Sequence, residues 1–157
     1  MARVYLETSF VSACVTDRKD AGSVYRREKS LDWWAFEAQR HELFISSEVI
    51  DELSHPHFRR RQQALEFIVD LPELVLNQKA KELAKVLIEN RVMPGPVGGD
   101  VIHVAVSAVA AIEYIVSWNV RHLANENKTR HLNLICQRHG FIAPRIVTPE
   151  MFWEDPK

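Results

Sequence analysis

Glu7, Glu52 and Asp100 are the residues of this sequence best placed to do chemistry together. Glu7 ends the apolar, β-prone run Val4-Tyr5-Leu6, and two hydroxyl residues, Thr8 and Ser9, follow at once. Glu52 lies one helical turn beyond Glu48, with Asp51 between them, in a segment that Ser46-Ser47 opens. Asp100 follows Gly98-Gly99 and begins a nearly all-apolar stretch. Each acid has a plain structural explanation. A strand can simply stop on a polar residue, an acidic cluster is usually a solvated helix face, and an acid at a helix start gains about 0.3–1 kcal/mol from the dipole. Gathered in one cleft, three carboxylates cannot all stay ionised without a positive charge among them. A hard divalent cation bound by oxygen supplies it, with Mg²⁺ or Mn²⁺ the natural choice. Such an ion lowers the pKa of a bound water and polarises a phosphoryl oxygen, which suggests phosphodiester chemistry.

The elements that must position these acids can be read from periodicity. Short strands are expected at Arg3–Leu6, Leu43–Ile45, Leu74–Leu76, Tyr114–Ser117 and Arg145–Val147. Helices are expected between them: a brief one over Phe10–Val15, then Ala21 to about His41, a segment from Ser47 to before Pro56, Arg59–Val69, Gln78–Asn90, Asp100–Ile112 and Glu126–His139. Thr148-Pro149-Glu150 reads as the start of a short terminal helix, with threonine as N-cap and proline in the first turn. Apolar strands alternating with helices imply a three-layer α/β/α sandwich around a central parallel sheet of four to five strands. Ligands in such sheets gather outside the carboxyl ends of the strands. Glu7 and Asn119, each just past a strand, belong to that rim. Along the Asp100 helix, His103 and Ser107 share the face of Asp100 and make a thin polar stripe, which must face something polar if it is buried.

The bulk properties restrict function. The chain has 157 residues and a net charge of −1, fitting one domain of an ordinary soluble class. Charge is uneven, with basic islands at Arg59-Arg60-Arg61 and between Arg121 and Arg138. Such islands are commonly solvated faces and sometimes polyanion sites. Cys14 and Cys136 have no CxxC or metal-ligand spacing, so two reduced thiols in a cytoplasmic protein are expected. No signal peptide or membrane span is expected. "GPVGGD" lacks the GK[ST] of a P-loop, the histidines do not match zinc spacing, and Ser9 lacks a nucleophile-elbow context. Trp33-Trp34 reads as packing, whereas Trp118, beside Asn119, has an address compatible with a substrate.

Taken in order, "VYLETS", "ISSEVIDEL", "GGDVIHVAVSA", "YIVSWNVRHLAN" and "IVTPEMF" resemble a PIN-domain protein of the VapC-like group of type II toxin–antitoxin systems, from about Arg3 to Phe152. The resemblance implies a metal-dependent endoribonuclease that hydrolyses RNA phosphodiester bonds, with Mg²⁺ or Mn²⁺ held by Glu7, Glu52 and Asp100. Asn119 matches the position where many members carry a fourth acid, and the usual aspartate after the first strand is glutamate here. Both departures favour one firmly held metal over two. Glu52 then binds the ion or accepts a proton from the attacking water. Asn119 with Thr8 or Ser9 positions that water or the scissile phosphate, and Arg121, His122, Lys128 and Arg130 are candidates to hold RNA phosphates. The resemblance also implies a small antitoxin partner and a dimer, the antitoxin contacting the helix around Trp33, Trp34 and Phe36. The alternative is a PIN-like module with a degenerate site that binds RNA or a partner without cutting.

Overall fold

The computed structural model describes residues 1–95, 98–123 and 125–154, with the backbone alone for residues 121 and 122. Five strands form one sheet: β1 (Arg3–Leu6), β2 (Glu42–Ser46), β3 (Glu73–Leu74), β4 (Tyr114–Val116) and β5 (Arg145–Val147). Their order is β3-β2-β1-β4-β5, and every neighbouring pair is parallel. Tyr5 pairs with Phe44 on one side and Ile115 on the other. Parallel strands are covered on both faces, so they can be apolar throughout, and Val4, Tyr5, Leu6, Ile115 and Val116 are all fully buried.

The helices are α1 (Thr8–Val15), α2 (Ala21–Phe36), α3 (Ser47–Leu53), α4 (Arg61–Phe67), α5 (Gln78–Glu89), α6 (Gly99–Val109), α7 (Val120–Leu123) and α8 (Glu126–Arg138). The outward crossovers β1→β2→β3 carry α1 to α4, and α1 packs on α2, α3 and α4. The return to β4 carries α5 and α6, which pack on each other, and α5 also meets α8. Right-handed crossovers running in opposite directions put these two groups on opposite faces of the sheet, giving the three-layer α/β/α sandwich expected from the sequence. Side-chain caps fix several starts: Asp20 accepts from the Ser23 amide, Asn77 from Ala80 and Asn125 from Lys128.

The differences from the sequence expectation lie at element ends. The helix expected to run to His41 stops at Phe36, and a 3₁₀ turn over Ala38–Arg40 takes its place. β3 is only two residues long, paired to Ile45 and Ser46. The apolar helix ends at Val109, because Ala111 turns left-handed (φ 58°) and lets the Ile112 amide reach back to the Ser107 carbonyl at 2.9 Å. α7 was not expected. Among the described residues after Thr148 there is one turn and no helix, for a specific reason. The Phe152 carbonyl accepts the Trp33 indole N–H at 2.8 Å, and its ring stacks on Tyr114 and His41. These contacts pull the chain across the sandwich instead of letting it coil. Trp33 is thereby core, edge-on to Phe10 with ring centres 5.4 Å apart. Trp34 rests on Phe67, and Phe36 stays 70% exposed. Cys14 and Cys136 are buried free thiols; burial pushes both up, Cys136 to about 11.

Candidate active site

The strand order sets where a site can form. β1 connects outward through β2 and β4 connects outward through β5, so the crevice of an open α/β sheet opens at the carboxyl ends of these two neighbours. Glu7 leaves β1 there, and Ser117, Trp118 and Asn119 leave β4 beside it. The β1–β4 register continues in a hydrogen bond from the Glu7 amide to the Val116 carbonyl, 3.1 Å.

Glu7 is 4% exposed and serves as the N-cap of α1. Its Oε2 accepts three hydrogen bonds, from the Ser9 amide at 2.9 Å, from the Ser9 hydroxyl, and from the Ser117 hydroxyl at 2.8 Å. A buried carboxylate needs such donors to remain an acceptor at tolerable cost. The Ser117 oxygen in turn accepts the Asn119 amide at 2.8 Å, and the Ser9 oxygen accepts the Trp118 amide at 2.9 Å. The ends of β1 and β4 are thus tied through one carboxylate oxygen. Ser117→Ala is expected to cost about 1–2 kcal/mol in urea unfolding, because it leaves the Asn119 amide and one lone pair of a buried acid without a partner.

Glu52 reaches the same place from α3. Its Oε1 accepts the Thr8 hydroxyl at 2.8 Å and the His103 Nε2–H at 2.6 Å. His103, on α6, is fully buried, and its Nε2 also lies 3.9 Å from Glu7 Oε1. Behind it, His103 Nδ1 is 2.6 Å from the Tyr5 hydroxyl, which is 2.7 Å from the Ser46 hydroxyl. Burial pushes the Tyr5 phenol well above its ordinary value, so it stays a donor. Burial opposes a charge on His103, but the Glu52 hydrogen bond and the charges of Glu7, Glu52 and Glu48 outweigh it and raise its pKa. Burial also opposes charge on Glu52, and the His103 hydrogen bond and charge together with the Thr8 hydroxyl more than offset this, lowering its pKa.

Asp100 stands in the first turn of α6, three residues before His103 and on its face. It is half-buried, and its carboxylate has no hydrogen bond among the described residues. Glu48 braces this helix start, its Oε1 accepting the Gly99 amide at 2.9 Å. Gly99 has φ +46°, a left-handed turn that an L side chain would strain, which explains a glycine beside the acid.

The structure therefore joins Glu7, Thr8, Ser9 and Glu52 in one network around His103. The backbone of Asn119 is joined to it through Ser117, while the Asn119 side chain is half-buried and makes no hydrogen bond among the described residues. Thr8 and Ser9 spend their hydroxyls on the two glutamates. Lys128 is half-buried and Arg130 exposed on α8. The side chains of Arg121 and His122 lie outside the described residues. Ser107, expected on the polar stripe, is fully buried and its hydroxyl has no partner among the described residues, so the stripe narrows to His103. Tyr5, Ser46, Glu48 and Ser117 were not expected to take part. For Tyr5 and Ser46 no local signal existed, since Tyr5 meets His103 across 98 residues of chain and Ser46 meets Tyr5 across 41.

The carboxylates are not preassembled as direct ligands of one ion. Among the described residues the only group of three or more His, Cys, Asp or Glu whose ligand atoms all lie within 4.8 Å of one another is Glu37, His41 and Glu154, away from this rim. That cluster is already satisfied as a clamp on the chain ends. His41 Nδ1 accepts the Ala2 amide at 3.0 Å, so its Nε2–H faces Glu37 Oε1 at 3.1 Å, and Glu37 Oε1 also accepts the Glu154 amide at 2.9 Å. Neither imidazole nitrogen has a lone pair to spare for a metal. At the rim, Glu7 Oε1, Glu52 Oε2 and the Asp100 carboxylate remain without hydrogen bonds among the described residues. This oxygen-only donor set suits a hard divalent cation that keeps part of its water shell.

No protein-family model matches the chain, and no curated protein matches it either. Among solved structures, it is similar to the VapC20 toxin of Mycobacterium tuberculosis, described as a sarcin-ricin loop cleaving toxin. The TM-score is 0.58 at 15% identity, over 90% of this chain and 99% of that one. It is similar also to VapBC2 of Rickettsia felis, solved bound to a DNA fragment from its promoter, with a TM-score of 0.56 at 15% identity over 75% of this chain and 89% of that one. At such identity the likeness is one of fold, and it is the PIN-like α/β/α fold. No helix among the described residues is long and apolar enough to cross a membrane.

Proposed function

We propose that this chain, which shares the PIN-like fold of VapC toxins, is a single-domain, divalent-metal-dependent endoribonuclease and the toxin of a toxin–antitoxin pair. The observation that carries this reading is the convergence of Glu7 and Glu52 on His103 at the carboxyl ends of β1 and β4, with Asp100 opening the helix that bears His103. A small antitoxin partner, a homodimer and a cytoplasmic site of action belong to the same reading.

Glu7 Oε1, Asp100 and Glu52 Oε2 would hold Mg²⁺ or Mn²⁺, partly through water. When bound, the ion supplies charge neutralisation at phosphorus and a more acidic water. Glu7 acts as a fixed ligand, because three donors lock its other oxygen. Glu52 is held in its ionised form by His103 and Thr8, and its lowered pKa makes it a weak base. Its role is therefore to hold the ion and orient water rather than to store a proton. The Asn119 carboxamide, without a hydrogen bond among the described residues, is available to that water or to the scissile phosphate. Thr8 and Ser9 serve by positioning the two glutamates.

Because no three acids at this rim, among the described residues, bring their ligand atoms within 4.8 Å of one another, one rival has support, a module that binds RNA without cutting it. The two readings part in one measurement. With purified protein and a mixed-sequence RNA pool, Mn²⁺ or Mg²⁺ should produce cleavage that EDTA abolishes. Retention of intact RNA at every Mn²⁺ concentration up to about 10 mM sinks the nuclease and leaves the binding module.

A further inference from the structure

A cleft of about 470 Å³ opens directly off the acidic rim, between the segment that joins α1 to α2 and the loop before α4. We propose that it is the track on which a single-stranded RNA lies as it enters the site, an inference that rests on the ribonuclease reading. Among the described residues its lining holds four arginines, Arg18, Arg26, Arg59 and Arg60, against one acid, Asp17. In a chain of net charge −1 this is a strong local concentration of positive charge. Asp17 offsets Arg59 in a salt bridge, and Arg60 donates its Nε–H to the Val15 carbonyl at 3.0 Å, with no hydrogen bond from its terminal nitrogens among the described residues. Arg18 and Arg26 are exposed and make no side-chain hydrogen bond among the described residues.

The floor connects this charge to the chemistry. Ser9 lines the cleft and also donates to Glu7. Trp118 lines it beside Ser9, pinned at two points: its amide to the Ser9 hydroxyl, and its indole N–H to the fully buried Ser30 hydroxyl at 2.8 Å. A ring fixed in this way, with Phe58 also in the lining, is a stacking platform for bases, and the arginines track a backbone. A docking helix would need aliphatic sockets, yet among the described residues the lining contains no Leu, Ile, Val or Met. The sequence exposed Arg59-Arg60-Arg61 only as a basic island; the fold joins it to Arg18 and Arg26, more than thirty residues away, and to Trp118.

The test is fluorescence anisotropy of a labelled, mixed-sequence 12-nucleotide RNA in EDTA, which stops cleavage without touching the cleft. Relative to wild type, the double variant Arg18→Ala/Arg26→Ala should bind about tenfold more weakly. Its slope of log Kd against log [KCl] should fall by about 1.4, at roughly 0.7 per phosphate contact on a single strand. Lys79→Ala/Lys81→Ala, which removes the same charge from exposed positions on α5, should leave the slope unchanged. Trp118→Leu should weaken binding with no change of slope, since stacking releases no counterions. The proposal is overturned if the Arg18/Arg26 pair leaves affinity and slope as in wild type, if the α5 pair gives the same loss, or if wild type binds no RNA. Cleavage is scored separately. Binding lost in the cleft variants with no cleavage by wild type keeps the track and removes the nuclease. Cleavage with an unchanged slope does the reverse.

Discussion

Asp100→Asn is expected to lower the rate of divalent-dependent RNA cleavage about 10³-fold, or about 4 kcal/mol of transition-state stabilisation, while the protein stays folded. Asp100 is the cleanest of the three acids to test. Glu7 Oε2 takes three donors, and in Glu7→Gln an amide NH₂ would face the His103 Nε2–H at 3.9 Å, donor against donor. Glu52 is bonded to Thr8 and His103 at once. Asp100 has no protein partner among the described residues, so its exchange for asparagine breaks no hydrogen bond there. The change forfeits about 0.3–1 kcal/mol of helix-dipole stabilisation, and relief of repulsion from the neighbouring acids offsets part of it. A drop in rate without a comparable drop in melting temperature is thus the signature of a lost ligand. The metal dependence should move with it, the variant needing more Mn²⁺ for half-maximal rate because a carbonyl oxygen replaces a charged one. A variant that cuts within a factor of about three of wild type would remove Asp100 from the site.

The legible part of this molecule was whatever its local pattern determined. A β-prone run stopping on Glu7 marks the end of β1 whatever lies beside it, and Gly98-Gly99-Asp100 before an apolar stretch marks the start of α6. Alternation of short strands with helices fixed the sandwich, and the five strands observed fall within the four to five expected. Tertiary contacts decided the rest. Phe152 is drawn under Trp33 and against Tyr114, which replaces the terminal helix suggested by Thr148-Pro149-Glu150 with a turn. The spacing of Asp100 and His103 announced a polar stripe, yet its partners Tyr5 and Ser46 are named by no local signal. Ser117 read as the last residue of a strand; only the β1–β4 pairing turns its hydroxyl onto Glu7. Glu48 looked like part of a solvated acidic face and instead holds the turn that presents Asp100.

His103→Ala should cost about 3–4 kcal/mol in the metal-free protein, measured by urea unfolding in EDTA. The ring is fully buried, so its removal leaves a cavity. It also removes a partner of the Tyr5 hydroxyl and the 2.6 Å hydrogen bond to Glu52. The cost should depend on pH with a defined sign. The folded state raises the His103 pKa above its ordinary 6.5, so its ionic contribution is complete below that value and is lost as pH rises through the folded pKa. The folded state lowers the Glu52 pKa below its ordinary 4.5, so its contribution is complete above that value and is lost as pH falls through the folded pKa. The gap in stability between wild type and His103→Ala should therefore be widest between about pH 4.5 and 6.5 and narrow on the alkaline side. Tyr5 supports either protonation state. It donates to Nδ1 when the ring is neutral, and accepts from Nδ1 while donating to Ser46 when the ring is charged. The hydrogen bonds thus survive deprotonation, and what fades with rising pH is the ionic part alone. A gap that stays flat from about pH 5 to 9 would mean that His103 acts only as a packed ring and that the charge on Glu52 is held by other groups.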